Sequence, residues 1–343
     1  MRLARQTAAA GRSGRGDTPL VAQVHAQLAR GGFHSGADLA RELGVSRSAV
    51  WKTVVALRAL GATVHAVRNR GYRIPDASEP LEAAKIRDHL AREDRERVRT
   101  IETVWSTPST NTVLLARANP PVGVSEVLLA EHQSAGRGRR GRAWLAPPGG
   151  AICLSMSWTF SEVPADIGAL SLVVGVCALK ALREQGVGGA ALKWPNDLLR
   201  EGRKLGGVLI ELRAESGGPA SVVIGIGLNV ALGAPLLKKI AETGLEATDL
   251  RSAGLAASSR NSIAAALVSS CLRGLGGFER EGLKPFIEEW RAADALRGRP
   301  VAVSGADGIA RGLARGVDVH GALLIETPQG VRRFIAGDVT VRA

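Results

Sequence analysis

The segment from Gly136 to Trp144, which reads GRGRRGRAW, contains the residue types best suited to an anionic ligand. Its arginines carry planar, permanent charges that fit carboxylate or phosphate oxygens two at a time. Its glycines let backbone N–H groups approach a ligand, and Trp144 offers a flat face for an aromatic ring or a cation. Because the like charges repel, we expect a mobile loop that an anion orders. Such runs are also typical of RNA-binding tails, but this one lies between apolar strands predicted at 127–130 and 151–158, which favours a loop over a site.

Two groups of short polar side chains precede this loop. Ser109, Thr110 and Asn111 are predicted to begin a helix, where they could cap the helix or bind a polar, amide-like ligand. Gln133 ends a strand just before the arginines, and its side chain can both donate and accept hydrogen bonds. These residues predict a polar subsite next to the cationic loop.

Three motifs follow the loop. KWPND, from Lys193 to Asp197, is predicted to be a strand that runs into a rigid turn. Lys204 precedes two glycines, where it is either a fixed charge for a carboxylate or phosphate or an exposed lysine on a turn. GIGLNV ends an apolar strand with Asn229, an amide that needs a partner if it is buried.

The composition of the 343-residue chain suggests two or three domains at about 100–200 residues each. Lysine and arginine exceed aspartate and glutamate, 45 against 32, so an anionic partner is expected. The three cysteines, Cys153, Cys177 and Cys271, lie far apart in apolar segments and are predicted to be buried free thiols. No run reaches the ~18 apolar residues of a membrane helix, and no signal peptide precedes the domains. We therefore expect a cytoplasmic protein, with no membrane partner and a disordered basic tail at 1–18.

Residues 19–75 predict a winged helix-turn-helix domain. Helices are expected from 19 to about 30 and over 36–43, and Ser46 should cap a third helix. The exposed residues near the start of that helix are the ones that would face DNA bases: Arg47, Ser48 and Lys52.

A hairpin centred on Asn69-Arg70-Gly71 follows, and Arg68 and Arg70 would face a phosphate backbone as the wing. Three-helix modules without DNA-binding function are also common, and that alternative stays open.

The rest of the chain predicts two more domains after a linker at 76–80. Residues 81–296 mix strands and helices, including an apolar helix at 166–185, a helix at about 260–281 and an antiparallel pair, 205–213 and 220–230, joined at 217–219. Residues 297–343 contain five short strands with glycine-rich turns, a pattern typical of a small β-barrel. The predicted class is α+β.

GRGRRGRAW, KWPND, KLGG and GIGLNV, in this order and spacing, resemble the bifunctional bacterial biotin protein ligases, which also repress the biotin operon. The resemblance covers about residues 18–343. It implies a mixed-sheet catalytic domain like that of class II aminoacyl-tRNA synthetases, followed by an SH3-like β-barrel. It implies a reaction in which biotin and ATP, with Mg2+, give biotinyl-5′-AMP, and the biotinyl group then passes to a lysine of a biotin carboxyl carrier protein. Operator DNA and a ligand-promoted homodimer, paired through the strand 208–213, are the other implied partners.

The resemblance also implies roles for individual residues. The biotin site would contain Ser109, Thr110, Asn111, Gln133, Arg137, Gly138, Arg139 and Lys204. The nucleotide site would contain Arg140, Arg142, Trp144 and Asn229, with Trp144 against the adenine. The catalytic residues would be Lys204, Arg139 and Asp197, the last acting through Mg2+ or on the incoming amine. No residue is assigned as a metal ligand.

One position departs from the pattern of the family, whose members often carry an acidic residue just before the Ser-Thr-Asn run. Pro108 stands there in this chain, which puts the fine positioning of the helix in doubt. Two other functions stay open: a lipoate-type acyl ligase of the same fold, and a DNA-binding regulator that senses a small molecule without ligase activity. The arginine loop and Lys204 favour an enzyme over such a regulator.

Overall fold

The computed structural model describes residues 18–75, 79–214, 219–252, 254, 259–305 and 308–341. These residues form an amino-terminal helical unit, a central sheet domain and a carboxyl-terminal β-sheet, so the α+β class is confirmed. Most of the expected tail at 1–18, most of the linker at 76–80 and most of the turn at 217–219 lie outside the described residues.

The amino-terminal unit is a winged helix-turn-helix, as predicted. Its elements are α1 (Leu20–Leu28), α2 (Gly36–Leu43), α3 (Arg47–Ala59), β1 (His65–Val67) and β2 (Gly71–Arg73). Ser46 caps α3 by accepting a hydrogen bond from the Ala49 N–H at 3.1 Å. Gly44 ends α2 in the left-handed conformation, with φ at 67°. The first helix is shorter than the predicted 19–30.

The central domain is built on a seven-stranded mixed sheet. Its strands are β3 (Val98–Thr107), β4 (Ser125–Gln133), β5 (Ala151–Thr159), β6 (Ala190–Lys193), β7 (Asp197–Arg200), β8 (Arg203–Ala214) and β9 (Ala220–Asn229). The spatial order is β3-β4-β5-β9-β8-β7-β6, and β3 runs parallel to β4. The sequence did not predict β7, because Asp197 follows a proline turn and only its pairing with β6 and β8 makes it a strand.

Helices pack on both faces of this sheet. The helices of the central domain are α4 (Ala83–His89), α5 (Arg92–Glu96), α6 (Thr110–Leu115), α7 (Leu170–Glu184), α8 (Ala234–Ala241), α9 (Arg260–Glu281) and α10 (Ile287–Ala292). On β4, Val127 and Leu129 face the main core beneath α7 and α9, whereas Leu128 faces α6 on the other side. The bounds of α9 match the predicted 260–281.

The carboxyl-terminal sheet has the five predicted strands. They are β10 (Pro300–Gly305), β11 (Gly308–Val317), β12 (Leu323–Thr327), β13 (Gly330–Phe334) and β14 (Asp338–Val341), in the order β13-β12-β11-β10-β14. The edge strands β13 and β14 do not pair with each other among the described residues, so the sheet is a curved SH3-like unit that is not fully closed. The Trp194 indole N–H donates to the Gly321 carbonyl at 3.1 Å and joins this sheet to the central domain.

The winged helix domain packs on the central domain through α1. The ring of His25 lies 5.3 Å from that of Trp105, measured between centroids. A cavity of about 30 Å³ lies between the two domains nearby. His25, Ile74, Pro147 and Leu232 are among the residues that line it. Burial lowers the pKa of His25, against a smaller raising effect of the Glu131 carboxylate, so the imidazole is neutral at pH 7.

All three cysteines are free and buried, as predicted. Burial raises the pKa of Cys153 to about 12, which keeps its thiol protonated and unreactive. Within the described ranges, no helix combines the length and apolarity that a membrane span requires.

Candidate active site

One face of the central sheet carries most of the predicted site residues. It is the face against α6, and alternate residues of β4, β5, β9 and β8 form it. The register places Leu128, Ser155, Gly225 and Leu209 side by side across these four strands. The polar residues before the arginine loop and the glycines of β9 therefore meet on this surface, which we call the site face.

A buried polar network lies at the start of α6. The Thr110 N–H and hydroxyl donate to Gln133 Oε1 at 2.8 and 3.2 Å. Ser155 Oγ lies 2.6 Å from Thr110 Oγ1 and 2.5 Å from Asn111 Oδ1. The structure thus brings the predicted Ser-Thr-Asn run and Gln133 together, although they are far apart in the sequence.

Ser109 has the capping role that its position predicts. Its hydroxyl accepts a hydrogen bond from the Thr112 N–H at 3.5 Å at the start of α6. Pro108 precedes it, and the Pro108 carbonyl accepts from the Ala135 N–H at 2.9 Å. Proline lacks a backbone N–H but keeps its carbonyl, so Pro108 can accept this hydrogen bond. The start of α6 therefore stays in place although Pro108 departs from the family pattern.

Glu211 on β8 connects the polar network to the arginine loop. Its carboxylate accepts from Asn111 Nδ2 at 2.8 Å and from Arg137 Nη2 at 3.0 Å. Arg137 also donates to the Thr112 hydroxyl at 3.0 Å. The first arginine of the loop is therefore held next to the polar network, and its role in binding biotin stays a prediction.

The glycines of GIGLNV make room for side chains of this chain. A Cβ on Gly225 would collide with Asn111 Oδ1, and a Cβ on Gly227 would come within 2.5 Å of the Trp144 ring. The sequence predicts that these glycines allow close approach, and the groups that approach them in the structure are Asn111 and Trp144. Trp144 thus packs against Gly227 of β9 and against Ala151 and Cys153 of β5.

The arginine loop forms a folded turn. The Gly138 N–H donates to the Arg142 carbonyl at 2.7 Å, and the Trp144 N–H donates to the Gly136 carbonyl at 2.9 Å. Arg140 at the tip has a left-handed backbone, with φ at 55°. The expected mobility of this loop stays a prediction.

Asp338 at the start of β14 holds the far side of the loop. Its Oδ2 accepts from Arg140 Nη1 at 2.8 Å and from Arg142 Nη2 at 2.7 Å. Arg139 Nη1 donates to the Gly337 carbonyl at 3.3 Å. The carboxyl-terminal sheet thus supplies a carboxylate to the arginines that are predicted to bind phosphate.

Lys204 and Asp197 form an ion pair next to the loop. Lys204 Nζ lies 2.6 Å from Asp197 Oδ1 and 6.0 Å from the centre of the Trp144 ring. Asn229 is buried, and its Nδ2 donates to the Thr248 carbonyl at 3.0 Å and to the Lys204 carbonyl at 3.3 Å. Asn229 therefore fixes the backbone of Lys204, and its predicted contact with the nucleotide stays a prediction.

Lys193, the first residue of KWPND, is a further cation of this site. Burial, together with the positive charges of Lys204 and Arg142, lowers the pKa of Lys193 below the ordinary 10.5, and the negative charge of Asp197 offsets only part of this effect. Lys193 therefore lies near the charged groups of Asp197, Lys204 and Arg142.

A buried ion pair supports the strand that leads into the loop. Glu131 on β4 accepts from Arg260 Nη1 at 2.9 Å, from the Leu81 N–H at 2.6 Å and from the Gly149 N–H at 3.2 Å. Burial alone would raise the pKa of Glu131, but Arg260 and His25 outweigh it, and the net pKa lies below its ordinary value. The carboxylate therefore stays charged and connects both ends of the loop region to α9.

The described residues contain no group of three or more His, Cys, Asp or Glu side chains arranged to hold a metal ion. The two carboxylates near the cations are already paired, Asp197 with Lys204 and Asp338 with two arginines. These residues therefore do not fit a protein-bound Mg2+, and we expect the ion to enter on the phosphate oxygens of ATP with its own waters.

The predicted DNA-binding residues lie on the exposed surface of the winged helix. Arg47, Ser48 and Lys52 are exposed on α3, and Arg68 and Arg70 are exposed in the turn between β1 and β2. The Arg70 guanidinium also stacks over the Phe33 ring at 4.1 Å from its centre. That contact holds Arg70 of the wing against Phe33, which precedes α2.

The chain matches three family models in succession. An HTH domain matches residues 21–73, the biotin/lipoate A/B protein ligase family matches 104–229, and the biotin protein ligase C-terminal domain matches 297–342. Their order agrees with the three structural units described above.

Relatives of known function match nearly the whole chain. The bifunctional ligase/repressor BirA of Escherichia coli K12 is 36% identical over 329 residues, which are 95% of this chain and 98% of the relative. BirA of Bacillus subtilis 168 is 30% identical over 312 residues, 90% of this chain and 93% of the relative. The biotin protein ligase from Aquifex aeolicus in complex with biotin and ATP has a TM-score of 0.59 at 26% identity and covers 71% of this chain and 99% of its own. The chain belongs to the family of bifunctional biotin protein ligases and repressors.

Sequence reasoning missed four residues of the site: Ser155, Lys193, Glu211 and Asp338. Ser155 had a signal, since it is a hydroxyl between the apolar residues Leu154 and Met156 of a buried strand. Lys193 stands within a motif that the sequence did identify. Glu211 and Asp338 had no local signal, because only strand pairing and the position of the carboxyl-terminal sheet bring them to the arginines.

Proposed function

We propose that this protein is an ATP-dependent biotin–protein ligase that forms biotinyl-5′-AMP and transfers biotin to a lysine of a biotin carboxyl carrier protein. We propose that it is also a biotin-responsive repressor. One observation carries the enzyme assignment: a buried polar network, suited to an amide-like ring, lies on the same sheet face as a cluster of arginines and lysines.

The first step joins two anions and therefore requires cations. A biotin carboxylate oxygen forms a bond to the α-phosphorus of ATP, the bond from that phosphorus to the bridging oxygen breaks, and pyrophosphate leaves with the electron pair. Lys204 and Arg139 would lie at the reacting carboxylate and α-phosphate, where they stabilise the negative charge that develops. Lys193, Arg140 and Arg142 would bind the phosphates.

The polar network would bind the ureido ring of biotin. Such a ring has N–H donors and a carbonyl acceptor, which the hydroxyls and amides of Thr110, Asn111, Gln133 and Ser155 can match. Arg137 and Gly138 would cover the other side of the ring. A lipoate-type acyl ligase is less well supported, because a dithiolane ring has no hydrogen-bonding groups that could replace the bonds within this buried network.

The loop would exchange its carboxylate partners for ligand oxygens. Arg140 and Arg142 are paired with Asp338, and Arg137 is paired with Glu211, and ligand oxygens would replace these carboxylates. Closing the loop over the adenylate would exclude water from the mixed anhydride. In the second step the lysine amine attacks the anhydride carbonyl, the bond to AMP breaks and AMP leaves. Asp197 would lie near the incoming amine.

Dimerisation would occur through the outer edge of β8. From Ile210 to Arg213 the described part of the chain places no strand beside this edge, which leaves it open to pairing with a second copy. Pairing of the two 208–213 strands would set two winged helices on successive half-sites of an operator. We propose that the ligand promotes this dimer and that the protein acts in the cytoplasm.

Pyrophosphate release by the purified protein with ATP and Mg2+ tests the enzyme assignment, with biotin in one reaction and lipoate in another. Release with biotin alone is expected, and Lys204→Ala and Arg139→Ala should each reduce the rate by roughly a hundredfold or more. Arg92→Ala, at an exposed ion pair far from the site, is the control and should match the wild type. Release with lipoate alone would replace the assignment with the acyl ligase. Biotin binding without release would indicate a sensor.

A further inference from the structure

The exposed side of α3 carries both polar and apolar side chains. Its exposed residues are Arg47, Ser48, Trp51, Lys52, Val55, Ala56, Arg58 and Ala59. Most of the polar side chains lie in the amino-terminal part of the helix. Trp51 and Val55, four residues apart, form an apolar strip beside them and are 57% and 44% exposed.

The fold of the winged helix domain does not need these two side chains. Its core on α3 is made by Val50, Val54 and Leu57, which are almost completely buried. A single exposed apolar residue needs no explanation. An indole and an isopropyl group on adjacent turns, however, expose a continuous apolar surface next to the residues predicted to face DNA bases.

The surroundings of this strip favour duplex DNA as its occupant. The helix from Arg47 to Ala59 contains no acidic residue, and Arg47, Lys52 and Arg58 all lie on it. The exposed wing arginines Arg68 and Arg70 extend the positive charge of the domain. An apolar surface framed by cations matches the major groove, where phosphates border the thymine 5-methyl groups.

We infer that Trp51 and Val55 read thymine methyl groups in the major groove and give the protein part of its sequence discrimination. This inference rests on the proposed repressor function. Arg47, Ser48 and Lys52 then supply hydrogen bonds and phosphate contacts, whereas the apolar strip selects the positions of thymine. The site is thus a specificity determinant, distinct from the residues that give general affinity for DNA.

The test begins with duplexes selected from a random library by the full-length protein in the presence of biotin, ATP and Mg2+. Binding of Trp51→Ala to the selected duplex should be weaker by roughly tenfold, while its binding to random duplex stays within about twofold. Replacing the contacted thymines with uracil removes only the methyl groups. This change should weaken binding of the wild type by a similar factor and leave binding of Trp51→Ala nearly unchanged.

Two control variants separate specificity from charge and folding. Lys52→Ala should weaken binding to selected and random duplexes alike and reduce the slope of the salt dependence by about one. Trp51→Phe, which keeps an aromatic ring, should retain part of the discrimination. Pyrophosphate release by all three variants should equal that of the wild type, because α3 lies outside the site face.

Three outcomes would overturn the inference. Selected duplexes that bind equally well with thymine or uracil, to both the wild type and Trp51→Ala, would show that the strip reads no methyl group. Loss of self-association by Trp51→Ala in the absence of DNA would assign the strip to a protein interface. Failure of the protein to enrich any duplex would remove the repressor function, and the inference with it, while pyrophosphate release remained intact.

Discussion

Asn111 illustrates how much of the site depends on single side chains. Its amide nitrogen donates to Glu211 and its amide oxygen lies 2.5 Å from Ser155 Oγ, so it joins β8 and β5 to the start of α6. The space that it occupies exists only because residue 225 has no side chain. A buried polar network is sensitive to such changes, because each displaced group leaves another without a partner.

Gly225→Ala should therefore disturb biotin binding as well as stability. The added Cβ collides with Asn111 Oδ1, so we expect a loss of about 1–3 kcal/mol in the free energy of unfolding and at least a tenfold rise in the KM for biotin. Gly188→Ala is the matched control, since no atom lies within 4 Å of its added Cβ. Denaturant unfolding and pyrophosphate release measure the two effects. Equal behaviour of the two variants would contradict the proposed position of Asn111.

Lys193 provides a prediction about pH. Burial holds its pKa below the ordinary 10.5, so its charge is lost at a lower pH than that of an exposed lysine. If the charge binds phosphate, the KM for ATP should rise as the pH rises through this lowered pKa. Lys193→Arg keeps a charge at every accessible pH and should move that rise to higher pH, and Lys193→Gln should raise the KM roughly tenfold at pH 7. Identical pH profiles for the wild type and Lys193→Arg would exclude Lys193 from phosphate binding.

At the level of elements, the base of the arginine loop is tied to α9 and to the segment after the linker. Arg260 is 0% exposed, and it joins Glu131 on β4 to the carbonyls of Ala151 and Glu79. The strand that carries Gln133 is thus fixed from behind by a helix on the opposite face of the sheet. The arginine loop therefore starts from a strand that is held in place by a buried ion pair.

Arg260→Ala should be strongly destabilising, because it leaves the Glu131 carboxylate buried without its main partner. We expect a loss of about 3–5 kcal/mol in the free energy of unfolding, measured by denaturant titration. Arg92→Ala, which removes an arginine from an exposed ion pair with Glu96, should cost less than about 1 kcal/mol. A small effect of Arg260→Ala would mean that Glu131 is satisfied without it.

Elements with local signals could be predicted from the sequence, and contacts between distant elements could not. Ser46 and Gly44 mark the helix-turn-helix because caps and left-handed turns need particular residues. The bounds of α9 likewise follow from its own apolar pattern. Glu211 and Asp338 escaped notice because an acidic residue on an exposed strand has many roles, and only the folded sheets bring these two to the arginines.

At the scale of the whole molecule, both other units border the region of the arginine loop. Asp338 of the carboxyl-terminal sheet contacts the loop, while His25 of the winged helix domain lines a cavity with Pro147 and Pro148, which follow the loop. The central domain therefore carries a ligand site whose flanking contacts come from both ends of the chain. This arrangement is consistent with coupling between ligand binding and operator binding.

Leu212→Lys tests the proposed dimer. Leu212 is 48% exposed on the outer edge of β8, and a charge there should prevent two such edges from pairing. Sedimentation with biotin, ATP and Mg2+ should show a dimer for the wild type and a monomer for the variant, whose pyrophosphate release should be unchanged. Val163→Lys, at another exposed apolar position, should dimerise normally. Ligand-promoted dimers of Leu212→Lys would move the interface elsewhere.

The most direct test of the central claim is the intact mass of a purified biotin carboxyl carrier protein domain after incubation with this protein, biotin, ATP and Mg2+. We expect the mass of the carrier to increase by one biotinyl group, attached to a single lysine, with no increase when Lys204→Ala replaces the wild type. An unmodified carrier with the wild-type protein, under conditions in which biotin binds, would contradict the assignment of the site face as a biotin-transferring active site.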